Sequence, residues 1–127
     1  MRLNSLILII LIPFLLIWIG CSDDEVVASN PDNERPAVEI TEPVNGALIQ
    51  SPKLVTIKAT ATDNIRVSRV DFYIDGTLFI SDNASPYEAL WNINKLAFTQ
   101  SFTLTAAAVD PSNNRGTSAE VIVYATN

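Results

Sequence analysis

The single cysteine, Cys21, is the first residue of this chain whose type and position could do chemistry. It follows Gly20 and an apolar run from Leu6 to Ile19, and Arg2 supplies positive charge before that run. The run has signal-peptide length and is shorter than the about 20 apolar residues that a membrane-spanning helix needs. The pattern therefore predicts a signal peptide over residues 1–20, whose removal leaves the Cys21 thiol at the new N-terminus.

Acid and amide side chains in two later loops are the second candidate for chemistry. They are Asp63, Asn64, Asp110, Asn113 and Asn114. Their oxygen atoms suit Ca²⁺, which takes 6–8 oxygen ligands in proteins. If the fold brings the two loops together, the pattern predicts a calcium site, although the spacing does not match an EF-hand. The alternative is that these residues only form turns at strand ends, as Asp and Asn commonly do.

Aromatic and acidic residues give two further candidates. Tyr73 is expected to point outward from a strand, where its ring could stack on a sugar. The alternative is ordinary cross-strand packing, and a single aromatic residue on the surface needs no further explanation. Asp71, Asp75 and Glu88 are carboxylates that a glycosidase could use as a pair. Because so small a domain leaves little room for a cleft, we predict no catalytic residue.

Composition excludes several classes of function. The 127 residues contain no histidine and one cysteine, which removes Ser-His-Asp catalysis, imidazole metal sites, internal disulfides and thiolate zinc sites. Of the 8 basic side chains only Arg2 lies in residues 1–20, so a chain cleaved there keeps 7 basic and 14 acidic side chains and a net charge of −7. This charge argues against nucleic acid as a partner. Apart from the calcium hypothesis, no cofactor is predicted.

Strands must position these side chains, because apolar and polar residues alternate from Ala37 onward and no stretch has helical periodicity. Seven such segments are separated by turn signals, of which Asn45-Gly46 and Asp75-Gly76 are the clearest. Short strands at this spacing predict an all-β fold, an antiparallel β-sandwich over residues 37–127. Residues 21–36 are rich in Ser, Asp, Asn, Glu and Pro, and predict a flexible acidic linker.

Three stretches of the predicted sandwich resemble bacterial Ig-like domains found in exported adhesins and glycan-active enzymes. They are VTIKATATDNIRVSRVDFYIDGTLF, SPYEALW and FTLTAAAVDPSNNRG. The resemblance covers about residues 37–126 and departs from the family at Asn94 to Gln100, where a Gly-containing turn is usual. It implies a seven-stranded antiparallel Ig-like β-sandwich, in which the two loops rich in acids and amides lie at the same end.

The segment Trp18-Ile19-Gly20-Cys21 resembles the lipobox of bacterial lipoproteins, in which the cysteine thiol receives a diacylglycerol before cleavage. Trp18 departs from the Leu that is usual there. Ser22-Asp23-Asp24-Glu25 resembles the acidic export signal of Bacteroidetes lipoproteins. Together they imply a lipid anchor at Cys21 and display on the outer face of the outer membrane. The alternatives are an uncleaved anchor helix and a solvated acidic spacer.

The expected function is interaction. We expect a non-enzymatic, surface-anchored lipoprotein whose single Ig-like domain acts in adhesion or in binding an envelope protein. The alternative is a carbohydrate-binding module for a surface glycan, with Ca²⁺ and Tyr73 contributing to the site. A third interpretation is a spacer with no ligand of its own.

The lipid anchor gives a direct prediction. Mass spectrometry of the mature N-terminus is expected to show an acylated Cys21, and Cys21→Ala is expected to leave the protein unprocessed or released from the membrane. An intact Met1 in the mature product would contradict cleavage.

Overall fold

The computed structural model describes residues 30–127 as an all-β domain with nine strands. The strands are β1 (Ala37–Glu42), β2 (Leu48–Gln50), β3 (Lys53–Thr62), β4 (Arg69–Ile74), β5 (Thr77–Asp82), β6 (Tyr87–Ile93), β7 (Gln100–Val109), β8 (Arg115–Thr117) and β9 (Val121–Thr126). Among these residues no helix is long and apolar enough to cross a bilayer. The predicted all-β fold is confirmed for the described part of the chain.

Two sheets form the sandwich. The smaller sheet has the strand order β1-β3-β6, and the larger has the order β2-β9-β7-β4-β5, with β8 also paired to β7. Every pair is antiparallel except β2 with β9, which is parallel. The seven predicted strands are all present. Strands β2 and β8 are additional, and at three residues each they are too short to show alternation in the sequence.

Period-two alternation explains why these segments are strands. In β6, Tyr87, Ala89, Trp91 and Ile93 are buried and the residues between them are exposed, so one face packs on the core and the other meets solvent. Across the core, the Trp91 and Phe102 rings pack edge to face, with centroids 4.9 Å apart and an interplanar angle of 77°. This contact joins the two sheets.

Small residues line β7 where it crosses the middle of the larger sheet. Ala106, Ala107 and Ala108 are completely buried, and Val70 of the adjacent β4 pairs with Ala108. Side chains of this size let the neighbouring layers approach closely. Strand β7 is therefore held firmly up to its last residue, Val109, and the position of the loop that follows is fixed.

Strands β8 and β9 follow one another along the same edge of β7, where one strand from about Ser118 onward was predicted. The regular strand is interrupted between them, and the Ser118 hydroxyl accepts a hydrogen bond of 2.9 Å from the Ala106 amide. The Ser118 amide donates in turn to the Ala106 carbonyl. These bonds complete the ladder of β7 at the interruption.

Replacing Trp91 by alanine is expected to cost about 3–5 kcal/mol of unfolding free energy, because it leaves a cavity beside Phe102. Urea denaturation monitored by circular dichroism measures the loss. The matched control is Leu90→Ala at the next position, whose side chain is exposed and whose removal should change stability by within about 0.5 kcal/mol. Equal losses for the two variants would contradict this description of the core.

Candidate functional site

Three carboxylates meet at one end of the sandwich. Asp63 comes directly after β3, Asp110 directly after β7, and Asp32 lies in the segment that precedes β1. One oxygen atom from each carboxylate lies within 4.8 Å of the other two. We call these three residues the aspartate cluster. The fold thus brings together the two loops that the sequence analysis paired, and it adds a residue from a third segment.

Backbone amides of its own turn orient the Asp63 carboxylate. Its Oδ2 atom accepts hydrogen bonds of 3.1 Å from the amides of Ile65 and Arg66. Its Oδ1 atom is buried and has no hydrogen-bond partner. Aspartate commonly accepts hydrogen bonds from the backbone amides of a turn, which explains the contacts of Oδ2. The turn does not explain why Oδ1 is buried without a hydrogen-bond donor.

Asp32 is arranged in the same way. Its Oδ1 atom accepts hydrogen bonds from the Glu34 amide at 3.1 Å and from Asn64 Nδ2 at 3.3 Å. Its Oδ2 atom is buried and unpartnered. A second carboxylate in the cluster therefore has one satisfied oxygen and one that is withheld from both solvent and donors.

Asp110 is the most buried member of the cluster, at 2% exposed. Asn114 donates to both of its oxygens, from the backbone amide at 2.8 Å and from Nδ2 at 2.7 Å. Burial alone would raise the pKa of Asp110, but the hydrogen bonds from Asn114, with smaller contributions from the Ser112 amide and the Asp32 side chain, lower it below its ordinary value.

The five predicted calcium ligands thus divide into three groups. Asp63 and Asp110 belong to the cluster, whereas Asn64 and Asn114 position the carboxylates through their side-chain amides. Asn113 is exposed, adopts a positive φ of 66° and helps to form the turn. Asp32 is a member of the cluster that the sequence does not reveal, because its segment has the composition of a linker.

Tyr73, the predicted sugar-stacking residue, faces a cation of its own chain. The Arg115 guanidinium lies 5.4 Å from the Tyr73 ring centroid, and Arg115 Nη2 donates a 2.9 Å hydrogen bond to the Tyr73 hydroxyl. The arrangement is a cation–π contact with a hydrogen bond at the ring edge. A sugar could stack on this face of Tyr73 only by displacing Arg115.

Asp71 lies on the outer face of the larger sheet, as its place in the alternation predicts, yet it is 5% exposed. Arg69 Nε and Arg115 Nη1 form ion pairs with its two oxygens at 3.1 and 3.2 Å. The Ser81 hydroxyl donates a third hydrogen bond of 2.6 Å. Asp71 is shielded from solvent although it lies on the outer face, because these side chains fold over it.

These contacts also set the ionisation of Asp71. Burial alone would raise the pKa of Asp71, but the hydrogen bond from Ser81 and the charge of Arg69 lower it. With a further hydrogen bond from Arg115, the pKa lies below its ordinary value.

The other acids considered for catalysis lie apart. Asp75 Oδ1 accepts a 2.8 Å hydrogen bond from the Thr103 amide, in the turn between β4 and β5. Glu88 is exposed on β6, in the opposite sheet. Within residues 30–127 these acids and Asp71 share no cleft.

Cys21, the predicted signal peptide and residues 21–29 of the predicted linker lie outside the described residues. Residues 30–36 of that linker carry no regular secondary structure, and Asp32 and Pro36 contact the domain.

Comparison with known proteins identifies the family. The family model described as bacterial Ig domain matches residues 36–106, which is more than half of the chain. The chain belongs to this family. No curated protein matches it. The bacterial Ig domain is also similar to a solved structure from Clostridium thermocellum, described as CbhA fibronectin(III)-like modules. That similarity has 31% sequence identity and a TM-score of 0.64, and it covers 70% of this chain and 94% of the other. Such a domain fits a non-enzymatic module.

Asp71→Asn is expected to cost about 1–3 kcal/mol at pH 7, since it removes the charge that two arginines and Ser81 contact. A folded-state pKa below the unfolded value near 3.9 means that this stabilisation is complete above about pH 4 and is lost as pH falls through the folded-state pKa. Denaturation at pH 7 and pH 3 tests both statements. The control is Glu42→Gln, which breaks the exposed Lys58–Glu42 pair and should cost about 0–1 kcal/mol. Equal costs for the two variants at pH 7 would contradict the prediction.

Proposed function

We propose that this bacterial Ig domain is a non-enzymatic interaction module, anchored through lipidated Cys21 to the outer membrane and displayed at the cell surface. The observation that carries the interaction role is strand β5. It is an edge strand of the larger sheet and, within residues 30–127, pairs only with β4. An open sheet edge is a template on which an extended segment of another protein can add a strand.

The β5 edge is unusually apolar for an exposed strand. Leu78, Phe79 and Ile80 are 53%, 42% and 46% exposed, and the strand carries no basic residue. Proteins usually protect such edges with lysine, proline or a covering loop. Exposed apolar side chains on this open edge therefore favour a protein partner.

Charge favours a partner other than a second copy. Asp75 and Asp82 flank the apolar centre of β5 on either side. If two copies paired antiparallel with Leu78 opposite Phe79, Asp75 of one copy would face Asp82 of the other, and like charges directly opposite one another are destabilising. We therefore propose an extended segment of an envelope protein, with apolar residues at its centre and Lys or Arg at its ends.

Carbohydrate binding is the second candidate, and the observation that favours it is the Tyr124 ring. Tyr124 is 41% exposed on β9, and its parallel neighbour on β2, Leu48, is 77% exposed. A ring beside an aliphatic side chain on an outer sheet face suits stacking on a sugar. With the Tyr73 ring covered by Arg115, this candidate rests on one aromatic residue.

Site-specific photo-crosslinking in intact cells tests the proposed interaction. A photoreactive phenylalanine at position 79 is expected to capture a defined envelope protein through a segment with apolar residues between basic ones. The matched control is position 54 on the central strand β3, where Leu54 is 59% exposed. With the purified partner, Phe79→Lys should weaken binding at least about tenfold and Leu54→Lys should leave it within about twofold. Equal capture at both positions, or no capture at either, would contradict the proposal.

A glycan array tests the second candidate function, carbohydrate binding. If the protein binds a glycan, and if Tyr124→Ala abolishes that binding while Phe79→Lys leaves it unchanged, carbohydrate binding would replace protein interaction as the proposed function. A flat array is the expected result.

A further inference from the structure

We propose that the aspartate cluster binds one Ca²⁺ ion and that this ion fastens the segment before β1 to the end of the sandwich. The three residues come from three separate parts of the chain, and the proposal rests on their charge, their buried oxygens and their spacing.

The charge of the cluster is not compensated within the described chain. Asp32, Asp63 and Asp110 bring three carboxylates together, and among residues 30–127 no lysine or arginine forms an ion pair with any of them. Elsewhere on the domain the fold does neutralise a buried carboxylate, because two arginines pair with Asp71. Three neighbouring carboxylates without a counter-charge need a cation or a proton between them.

Two buried carboxylate oxygens indicate that the cluster lacks a cation. Asp32 Oδ2 and Asp63 Oδ1 each expose less than 1 Å² and have no hydrogen-bond donor. The other oxygen of each carboxylate is satisfied by amides of the local turns. A buried carboxylate oxygen that meets neither water nor a donor is costly, and a metal ion would remove that cost at both atoms.

Spacing and ligand type favour Ca²⁺. Two oxygens that lie 2.3–2.6 Å from one calcium ion are at most about 5 Å apart, and the cluster oxygens lie within 4.8 Å of one another. All the candidate ligands are oxygens, which excludes a preference for zinc or copper. Mg²⁺ requires near-ideal octahedral geometry and keeps more of its water, so a site with three carboxylates from separate chain segments suits it less.

The ion would hold the segment before β1 against the end of the sandwich, because Asp32 lies in that segment. We call this link the clasp. The segment already contacts the domain in three places. Asn114 Nδ2 donates a 2.9 Å hydrogen bond to the Asp32 carbonyl, and Asn64 Nδ2 donates a 3.3 Å hydrogen bond to Asp32 Oδ1. Pro36 packs on Gly116 so closely that a Cβ there would overlap the Pro36 carbonyl oxygen. A Ca²⁺ bond to the Asp32 side chain would add a fourth contact. Binding would then order residues 30–36, and with them the direction in which the chain leaves the domain.

Calorimetric titration of CaCl₂ into the full-length protein in detergent micelles tests the site. We expect one ion per chain, with a dissociation constant of about 10⁻⁴–10⁻³ M as in extracellular calcium modules, and weaker binding of MgCl₂. Asp32→Asn and Asp63→Asn should each weaken Ca²⁺ binding at least about tenfold. Because Asp32 precedes the first strand, its replacement leaves the sandwich intact, which keeps the test valid if Asp63→Asn fails to fold.

Asp82→Asn is the matched control. Asp82 also accepts hydrogen bonds from two backbone amides, those of Ala84 and Glu88, but it lies outside the cluster. Its replacement should leave Ca²⁺ affinity within about twofold of the original. Absence of heat and of a thermal shift at 10 mM CaCl₂ would overturn the proposal, as would equal weakening by Asp82→Asn. If Asp63→Asn raises the unfolding temperature equally with and without Ca²⁺, this would indicate that the carboxylates of the cluster share a proton instead of an ion.

Limited proteolysis tests the clasp separately from the binding. Glu34 is exposed, and a Glu-specific protease can cut after it. We expect Ca²⁺ to slow this cleavage at least about fivefold in the original protein and to have no effect in Asp32→Asn. Ca²⁺ binding with unchanged cleavage after Glu34 would overturn the clasp.

Discussion

Inter-sheet packing is the constraint on which the rest of the molecule depends. The Trp91–Phe102 contact and the buried alanines of β7 hold the two sheets at a fixed separation and in a fixed register. Strand β3 belongs to one sheet and β7 to the other, so the residues that follow them meet only because the sheets are locked together. The aspartate cluster is therefore a product of tertiary packing, and local turn preference alone would scatter its members.

The domain has two acidic sites whose buried carboxylate oxygens are stabilised in different ways. On the outer face of the larger sheet, Asp71 is surrounded by Arg69, Arg115 and Ser81, and its charge is balanced from within the chain. At the end of the sandwich, Asp63 and Asp32 each have one oxygen bound to local amides and one without a partner. The first arrangement is complete as it stands and stabilises the fold. The second is complete only when something positively charged joins it.

Strand alternation made most of the fold predictable, and the failures have physical causes. Buried and exposed residues alternate throughout β6, whereas β2 and β8 have three residues each, and only residues 118–120 separate β8 from β9. Asp63 and Asp110 could be paired because an Ig-like sandwich places their loops together. Asp32 could not, because a polar segment before the first strand has the composition of a linker whether or not it contacts the domain. The covering of Asp71 and Tyr73 by Arg115 depends on long-range packing, which alternation does not describe.

A crystal structure of the protein grown in CaCl₂ would show whether the aspartate cluster holds a cation. We expect anomalous density between the three carboxylates, 2.3–2.6 Å from an oxygen of each of Asp32, Asp63 and Asp110. Density for water alone would contradict the calcium site. Two carboxylate oxygens about 2.5–2.7 Å apart with no ion between them would also contradict it, because a shared proton would then neutralise the cluster.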